Sequence, residues 1–114
     1  MHEIGVLYEA IKVAEKTAEE NSLSEIKCLT LSVGELTGYL PIFFEKYFPI
    51  IIEDRPLFQD AELKLEIVPG EALCSQCQSI YNVMKCKGVC PKCGSRNKTV
   101  LGGREFLIKN IVGY

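Results

Sequence analysis

The chain has 114 residues, of which 47% are hydrophobic, and its formal net charge is −2. This length predicts one domain with at most a small appendage, and the apolar fraction excludes an intrinsically disordered protein. The nearly balanced charge gives no reason to expect nucleic acid or an anionic membrane as a partner. No stretch has the pattern of a secretory signal or the length of a membrane span, so we expect a cytoplasmic protein.

Two amphipathic helices are predicted in the first half of the chain. Residues 3 to about 20 carry an apolar stripe at steps of three and four residues, formed by Ile4, Leu7, Ile11, Ala14 and Ala18. A second, more buried helix is predicted to begin at Pro41, because proline suits the first helical turn. Its apolar residues are Phe43, Phe44, Tyr47, Phe48, Ile51 and Ile52. Pro49 is expected to kink or interrupt this helix.

Three segments have the alternating pattern of half-buried strands. They are residues 26–33, residues 61–68 and a last strand after Gly102–Gly103. In the first strand Leu29, Leu31 and Val33 share one face, and in the last strand Phe106, Ile108 and Val112 do so. In the middle strand the residues expected to face inward are Ala61, Leu63, Leu65 and Ile67. The elements together predict an α+β fold, with two helices packed on a small mixed β-sheet. A zinc-ribbon-like module is inserted between the last two strands.

The inserted module is predicted from the cysteines. Four of the six cysteines form CSQC and CPKC, with twelve residues between the two pairs. A two-residue gap lets both thiolates of a pair reach one ion, and two pairs give the tetrahedral S₄ geometry of structural zinc. The predicted ligands are Cys74, Cys77, Cys90 and Cys93. Because four thiolates leave no open position, a catalytic zinc is not expected; iron or a redox dithiol are the alternatives.

The composition changes at Pro69–Gly70, where the metal module begins. Acidic residues are absent between Cys74 and Lys98, while Lys85, Lys87, Lys92, Arg96 and Lys98 are basic. We therefore predict a zinc-binding domain over 71–99 and an α+β domain over 1–70 plus 100–114. Of the remaining cysteines, Cys86 is either a spare thiol or an alternate zinc ligand, and Cys28 is expected to be a small buried hydrophobe.

The N-terminus offers a second set of metal ligands. His2 is the only histidine of the chain. The α-amine of Met1, the amide nitrogen of His2 and its imidazole can form two fused chelate rings, and the amide nitrogen of Glu3 can complete a square plane. Planar nitrogen donors suit Ni(II) or Cu(II) better than zinc. Histidines near a chain terminus commonly have no metal role, so the ligand chemistry alone does not decide whether a metal binds here.

The sequence resembles the HypA/HybF family of hydrogenase maturation factors. The resemblance is carried by the opening MHE before a helix, by VGEL at the end of a strand and by the late CxxC…CPKCGS. It implies a nickel metallochaperone that loads nickel into [NiFe]-hydrogenase with a HypB-type GTPase, the hydrogenase large subunit being the recipient. It also implies that nickel binds at His2 and Glu3 beside the Met1 amine. The α+β part then becomes the nickel-binding domain.

Two other classes of function are weighed against a nickel carrier. The basic run from Lys85 to Lys98 allows a zinc ribbon that binds nucleic acid or another protein, although only Tyr81 offers an aromatic stacking platform there. An enzyme is not expected, because the sole histidine is terminal and the zinc site is closed. Glu35 is interpreted as a solvated turn carboxylate in preference to a partner contact. The sequence leaves open whether the chain forms a homodimer and whether it also serves urease.

Overall fold

The computed structural model describes residues 2–114, which form two helices and six strands. In chain order these are α1 (Glu3–Glu20), β1 (Ile26–Gly34), α2 (Pro41–Ile51), β2 (Glu62–Val68), β3 (Glu71–Cys74), β4 (Ile80–Asn82), β5 (Lys98–Gly102) and β6 (Phe106–Gly113). Short 3₁₀ turns lie at Glu35–Thr37, Ile52–Asp54 and Pro56–Phe58. The strands form two three-stranded sheets, ordered β2-β1-β6 and β4-β3-β5. The predicted α+β class is confirmed.

The chain divides into two compact units. The first unit comprises residues up to 32, 39–66 and 107–114, and the second comprises 33–38 and 67–106. No helix within residues 2–114 combines the length and apolar character needed to cross a membrane.

Both helices contribute to the core of the first unit. The buried residues of α1 are Leu7, Ala10, Ile11, Ala14 and Ala18. Ile4 was expected in this stripe but is exposed, because it lies in the first helical turn beside a surface cavity. In α2, Phe44 and Phe48 are buried and make edge-to-face contacts with Tyr39 and Phe58 at centroid distances of 6.0 and 6.3 Å. Aromatic pairs of this geometry add to the stability gained by burial alone.

Pro49 does not interrupt α2, contrary to expectation. The helix continues to Ile51 and then tightens into the 3₁₀ turn at Ile52–Asp54. Proline removes one backbone hydrogen bond from a helix, and here it does so within the last turn. The helix therefore ends two residues after Pro49 and not at it.

The strand predictions hold except at two residues near the ends of β2 and β6. Leu29, Leu31 and Val33 of β1 are buried, and the predicted alternation is present in β2 up to Glu66. Ile67 of β2 is 45% exposed, so its inward assignment is wrong; Val112 of β6 is 49% exposed and does not share the half-buried face of Phe106 and Ile108. Ile67 lies near the end of an edge strand. In β6 the consecutive residues Lys109 and Asn110 are both exposed, which reverses the alternation before Val112.

The second unit has a very small core. Strand β3 pairs antiparallel with both β4 and β5, and Ala72 lies opposite Tyr81 on one side and Val100 on the other. The buried residues are Ala72, Cys74, Tyr81 and Cys90, with Val83 and Cys86 packed against them. So little apolar side-chain volume is typical of modules that depend on a metal or disulfides for stability.

Candidate functional site

The four predicted zinc ligands lie together in the second unit. The sulfur atoms of Cys74, Cys77, Cys90 and Cys93 are all within 4.8 Å of one another. The Sγ atoms of Cys74 and Cys93 are 3.5 Å apart, as are those of Cys77 and Cys90. A tetrahedral zinc with Zn–S bonds of about 2.3 Å requires sulfur separations of roughly 3.8 Å. The cluster therefore has the dimensions of a single four-thiolate metal site.

Cys86 lies outside this group. It is half-buried and packs against the small core of the second unit, which Ala72, Cys74, Tyr81 and Cys90 form. Within residues 2–114, the metal-competent group contains only the four cysteines of the two CxxC pairs.

The two CxxC turns have the same backbone geometry. Gln78 and Gly94, which directly follow the second cysteine of each pair, both have positive φ, 65° and 76°. The N–H of Gln78 donates to the carbonyl of Cys74 at 3.0 Å, and the N–H of Gly94 donates to that of Cys90 at 2.9 Å. Glycine adopts this left-handed conformation without a steric penalty, whereas for glutamine the same conformation is strained. The repeated geometry directs both thiols of each pair toward the same point.

Hydrogen bonds from the protein favour the thiolate form at two of the ligands. The Ser79 hydroxyl, 3.2 Å from the sulfur, and the Ser79 amide lower the pKa of Cys77 to about 6. The amides of Cys77 and Gln76 lower the pKa of Cys74. At Cys93 the Ser95 amide acts in the same direction, but the neighbouring sulfurs and desolvation outweigh it and raise the pKa to about 12. Four thiolates this close therefore require a cation between them.

Glu35 belongs to the framework of the second unit and is not a solvated turn residue. Its Oε1 accepts hydrogen bonds from the Gly70 N–H at 2.8 Å and from Asn82 Nδ2 at 3.0 Å. These bonds hold the pKa of the Glu35 carboxyl below its ordinary value of 4.5. The carboxylate thus ties the 3₁₀ turn to both ends of the β3–β4 hairpin.

The predicted nickel-binding residues lie at the start of α1 in the first unit. His2 is the exposed N-cap residue, as expected for a residue just before the helix. The Glu3 carboxylate accepts a hydrogen bond from the Leu40 N–H at 2.9 Å, which is the main reason that its pKa is lowered. The amine of Met1 lies outside the residues that the structure describes.

A shallow cavity of about 290 Å³ surrounds His2 and Glu3. Its other walls are Ile4, Phe43 and Tyr47, and the two aromatic rings are stacked with centroids 6.2 Å apart. Phe43 and Tyr47 were expected to be buried in the core but line this cavity, and no role was expected for Leu40. No local pattern could have revealed these neighbours, since they lie about forty residues from His2 along the chain.

Comparison with known proteins gives the family. A family model described as hydrogenase/urease nickel incorporation, metallochaperone, hypA, matches residues 1–113. The chain belongs to the HypA family. The hydrogenase maturation factor HypA of Francisella philomiragia is 33% identical over 114 residues, covering 98% of each chain. That of Moorella thermoacetica is 34% identical over 108 residues, covering 95% of each.

Solved HypA structures have the same fold. The solution structure of the Ni metallochaperone HypA from Helicobacter pylori matches with a TM-score of 0.69 at 25% identity, covering 99% of this chain and 97% of that one. A second HypA solution structure matches with a TM-score of 0.64 at 26% identity, covering 100% and 97%. The resemblance that the sequence suggested is confirmed. The family description is that of a nickel-incorporation metallochaperone, so the expectation that the chain is not an enzyme is confirmed. The same description also includes urease.

Proposed function

We propose that the protein carries Ni(II) at its N-terminal end and delivers it to a [NiFe]-hydrogenase large subunit together with a HypB-type GTPase. The observation that carries this proposal is the position of His2, exposed at the start of α1 and bordered by a cavity, in a chain of the HypA family. An accessible imidazole at a chain end suits a cargo that must be released again. Nitrogen ligands from His2, together with the Met1 amine, favour nickel over zinc.

The role proposed for Glu3 is to supply its backbone amide nitrogen. Its carboxylate is already held by the Leu40 N–H. This contact anchors Glu3, the first helical residue, to the segment that precedes α2. It therefore fixes the position of the Glu3 amide, which follows His2 in the chain. Acid should weaken nickel binding because amine and imidazole ligands must lose their protons before they coordinate the metal.

We further propose that Cys74, Cys77, Cys90 and Cys93 hold structural zinc. The sulfur separations support one tetrahedral ion, and no position remains for water or substrate. Zinc would supply the folding energy that the small apolar core of the second unit lacks, and the basic residues of this segment would offset the charge of the four thiolates. On this basis 71–99 is the zinc-binding domain, and 1–70 plus 100–114 is the nickel-binding domain.

The surface beside His2 supports docking of a partner protein. Leu40, whose N–H binds Glu3, is exposed, as is the cavity residue Ile4. Ile42, which precedes the cavity residue Phe43 in α2, is 67% exposed. Exposed aliphatic side chains next to a metal site favour contact with the protein that receives the metal. We propose that the GTPase docks here and that the protein acts in the cytoplasm, where its six cysteines, which form no disulfide, would remain reduced. A homodimer remains a prediction, and neither nucleic acid nor a membrane is proposed as a partner.

Nickel titration of the untagged chain, with native mass spectrometry to count nickel and zinc, tests the metal assignments. His2→Ala should abolish specific nickel binding without changing the zinc content or the circular dichroism spectrum. An extension ahead of Met1 should weaken binding by displacing the amine, whereas Lys16→Ala on the exposed side of α1 should have no effect. Unchanged nickel affinity in both the His2 variant and the extended chain would refute the site.

Transfer of nickel to the purified GTPase tests the docking surface separately. Ile42→Asp should slow transfer while leaving nickel affinity unchanged, because Ile42 does not line the cavity around His2. Ile80→Asp is the matched control, since Ile80 is 61% exposed but belongs to the second unit. Equal transfer rates for the two variants would contradict docking beside His2.

A further inference from the structure

The second unit contains an open groove that plays no part in metal binding. It has a volume of about 530 Å³ and combines aliphatic walls with two basic side chains. The lining residues are Leu36, Val83, Lys98, Thr99, Val100 and Arg104. None of them is a cysteine of the metal site.

The two basic groups of the groove have no acidic partner in the part of the chain that the structure describes. The ion pairs found among residues 2–114 involve neither Lys98 nor Arg104. One proton of the Lys98 ammonium is donated to the Arg96 carbonyl at 2.8 Å, which leaves two for a ligand. Lys98 and Arg104 are the charged side chains among the residues that line the groove. The carboxylates adjacent in sequence, Glu35 and Glu105, do not line it and accept hydrogen bonds from Gly70, Asn82 and Gly103. The lining of the groove is therefore cationic.

Strand β5, which contributes three of the lining residues, is an edge strand. Its only hydrogen-bonded neighbour within residues 2–114 is β3. Val100 lines the groove, while the adjacent residue Leu101 is exposed. Successive side chains of a strand point to opposite faces of the sheet, so apolar surface is available on both faces of this edge. An exposed strand edge is a site where a second chain can add by main-chain hydrogen bonding.

We propose that this groove and the free edge of β5 bind an extended acidic segment of a partner protein. The segment adds to β5 as a fourth strand of the β4-β3-β5 sheet. Its carboxylates pair with Lys98 and Arg104, and its apolar side chains pack on Leu36, Val83 and Val100. A nucleic acid fits this surface less well, because it cannot use the strand edge and no aromatic side chain lines the groove for base stacking.

The test uses the zinc-loaded full chain and a short acetylated peptide in which every second residue is threonine and the residues between are alternately glutamate and valine. Glutamate and valine then lie on the same face of the added strand, as the groove requires. Fluorescence anisotropy measures its affinity, and ¹⁵N chemical shifts report whether the amides of Thr99, Val100 and Leu101 are perturbed. The glutamate–valine peptide should bind with perturbation of these amides. A lysine–valine peptide should bind at least about fivefold more weakly, because its charges oppose the two cations.

Charge-reversal variants identify the residues responsible. Lys98→Glu combined with Arg104→Glu should weaken the glutamate–valine peptide at least about fivefold, and Arg104→Glu alone should give part of this loss. Arg104 is exposed and unpaired, so the single variant should fold even if the double variant does not. Lys16→Glu with Lys64→Glu makes the same charge change on exposed residues of the first unit and should leave affinity unchanged.

Three results would overturn the proposal. The first is peptide affinity that is unaffected by Arg104→Glu. The second is tighter binding of a short oligothymidine than of the glutamate–valine peptide through the same residues, which would indicate a nucleic-acid surface. The third is self-association of the chain through β5 without peptide, which would make a second copy the occupant of this edge.

Discussion

Replacing Gly34 with alanine should strongly destabilise the second unit. Gly34 is the last residue of β1, and its N–H donates to the Glu105 carbonyl at 2.8 Å. A Cβ atom added here would lie 2.1 Å from the carbonyl oxygen of Gly103 and 2.3 Å from its carbonyl carbon. Both are backbone atoms, so no side-chain rotation can relieve the overlap.

The size of the effect follows from the displacement that alanine would require. Moving the Gly103 carbonyl out of contact would shift its backbone by about 1 Å, and overpacking of this kind typically costs about 1–3 kcal/mol. Gly103 cannot move freely, since a Cβ on it would itself meet Gly70 Cα at 2.5 Å. We therefore expect a loss of about 3 kcal/mol, which corresponds to a fall of roughly 12 °C in Tm for a chain of this length.

The measurement is thermal unfolding followed by circular dichroism at a fixed excess of zinc, because bound metal raises apparent stability. Gly102→Ala is the matched control: it lies in β5, and a Cβ there would have no atom within 4 Å. Gly102→Ala should change Tm little. A Gly34→Ala protein with the Tm of the parent, or an equal loss in both variants, would refute the close approach of Gly34 and Gly103.

Further predictions concern pH and metal. The stability difference between the parent and Glu35→Gln should be full at neutral pH. This difference should become smaller as the pH falls from about 4.5 through the pKa of Glu35 in the folded protein, which is lower. The reason is that a carboxyl group whose pKa is depressed by folding stabilises the fold only while it is ionised. Denaturant titrations across this pH range measure the difference. Ser79→Ala should make zinc dissociate at a higher pH by raising the pKa of Cys77, whereas Ser75→Ala should not, as measured by released zinc. Zinc chelation should abolish amide protection over 71–99 in hydrogen exchange; a ribbon that stays protected would contradict a structural role for the metal.

The fold was predictable wherever its determinants are local. The period of apolar residues located α1 nearly to the residue, and the alternation in β1 identified three residues of the core. The errors at Ile67 and Val112 have a different origin. Burial at the margin of a sheet depends on which strands lie beside it, and the sequence alone does not say that β2 and β6 flank β1. The same limit explains why the second sheet, which β3, β4 and β5 form within the predicted metal module, was not foreseen.

The zinc site depends on local sequence, whereas the surroundings of the predicted nickel site depend on how distant segments pack. The four cysteines could be grouped from sequence because each CxxC turn places its own sulfurs, and the small core of the second unit leaves few other arrangements. The surroundings of His2 could not be predicted, since Leu40, Phe43 and Tyr47 reach it only through the packing of α2. The positive φ of Gln78 could not be predicted either. Only its counterpart Gly94 indicates from sequence that a tight turn follows the second cysteine.

The motif VGEL, which carried part of the family resemblance, has a physical basis in the second unit. Val33 is buried, and Gly34 allows the Gly103 backbone to approach too closely for any side chain. Glu35 satisfies the Gly70 N–H, and the Leu36 side chain fills the space in front of Gly70, where an added Cβ would lie 2.6 Å from it. Four consecutive residues therefore fix one backbone crossing at the base of the ribbon. The motif touches neither proposed metal site, and its residues hold the β3–β4 hairpin in place. Substitutions in VGEL should therefore lower the stability of the protein and leave its nickel affinity unchanged.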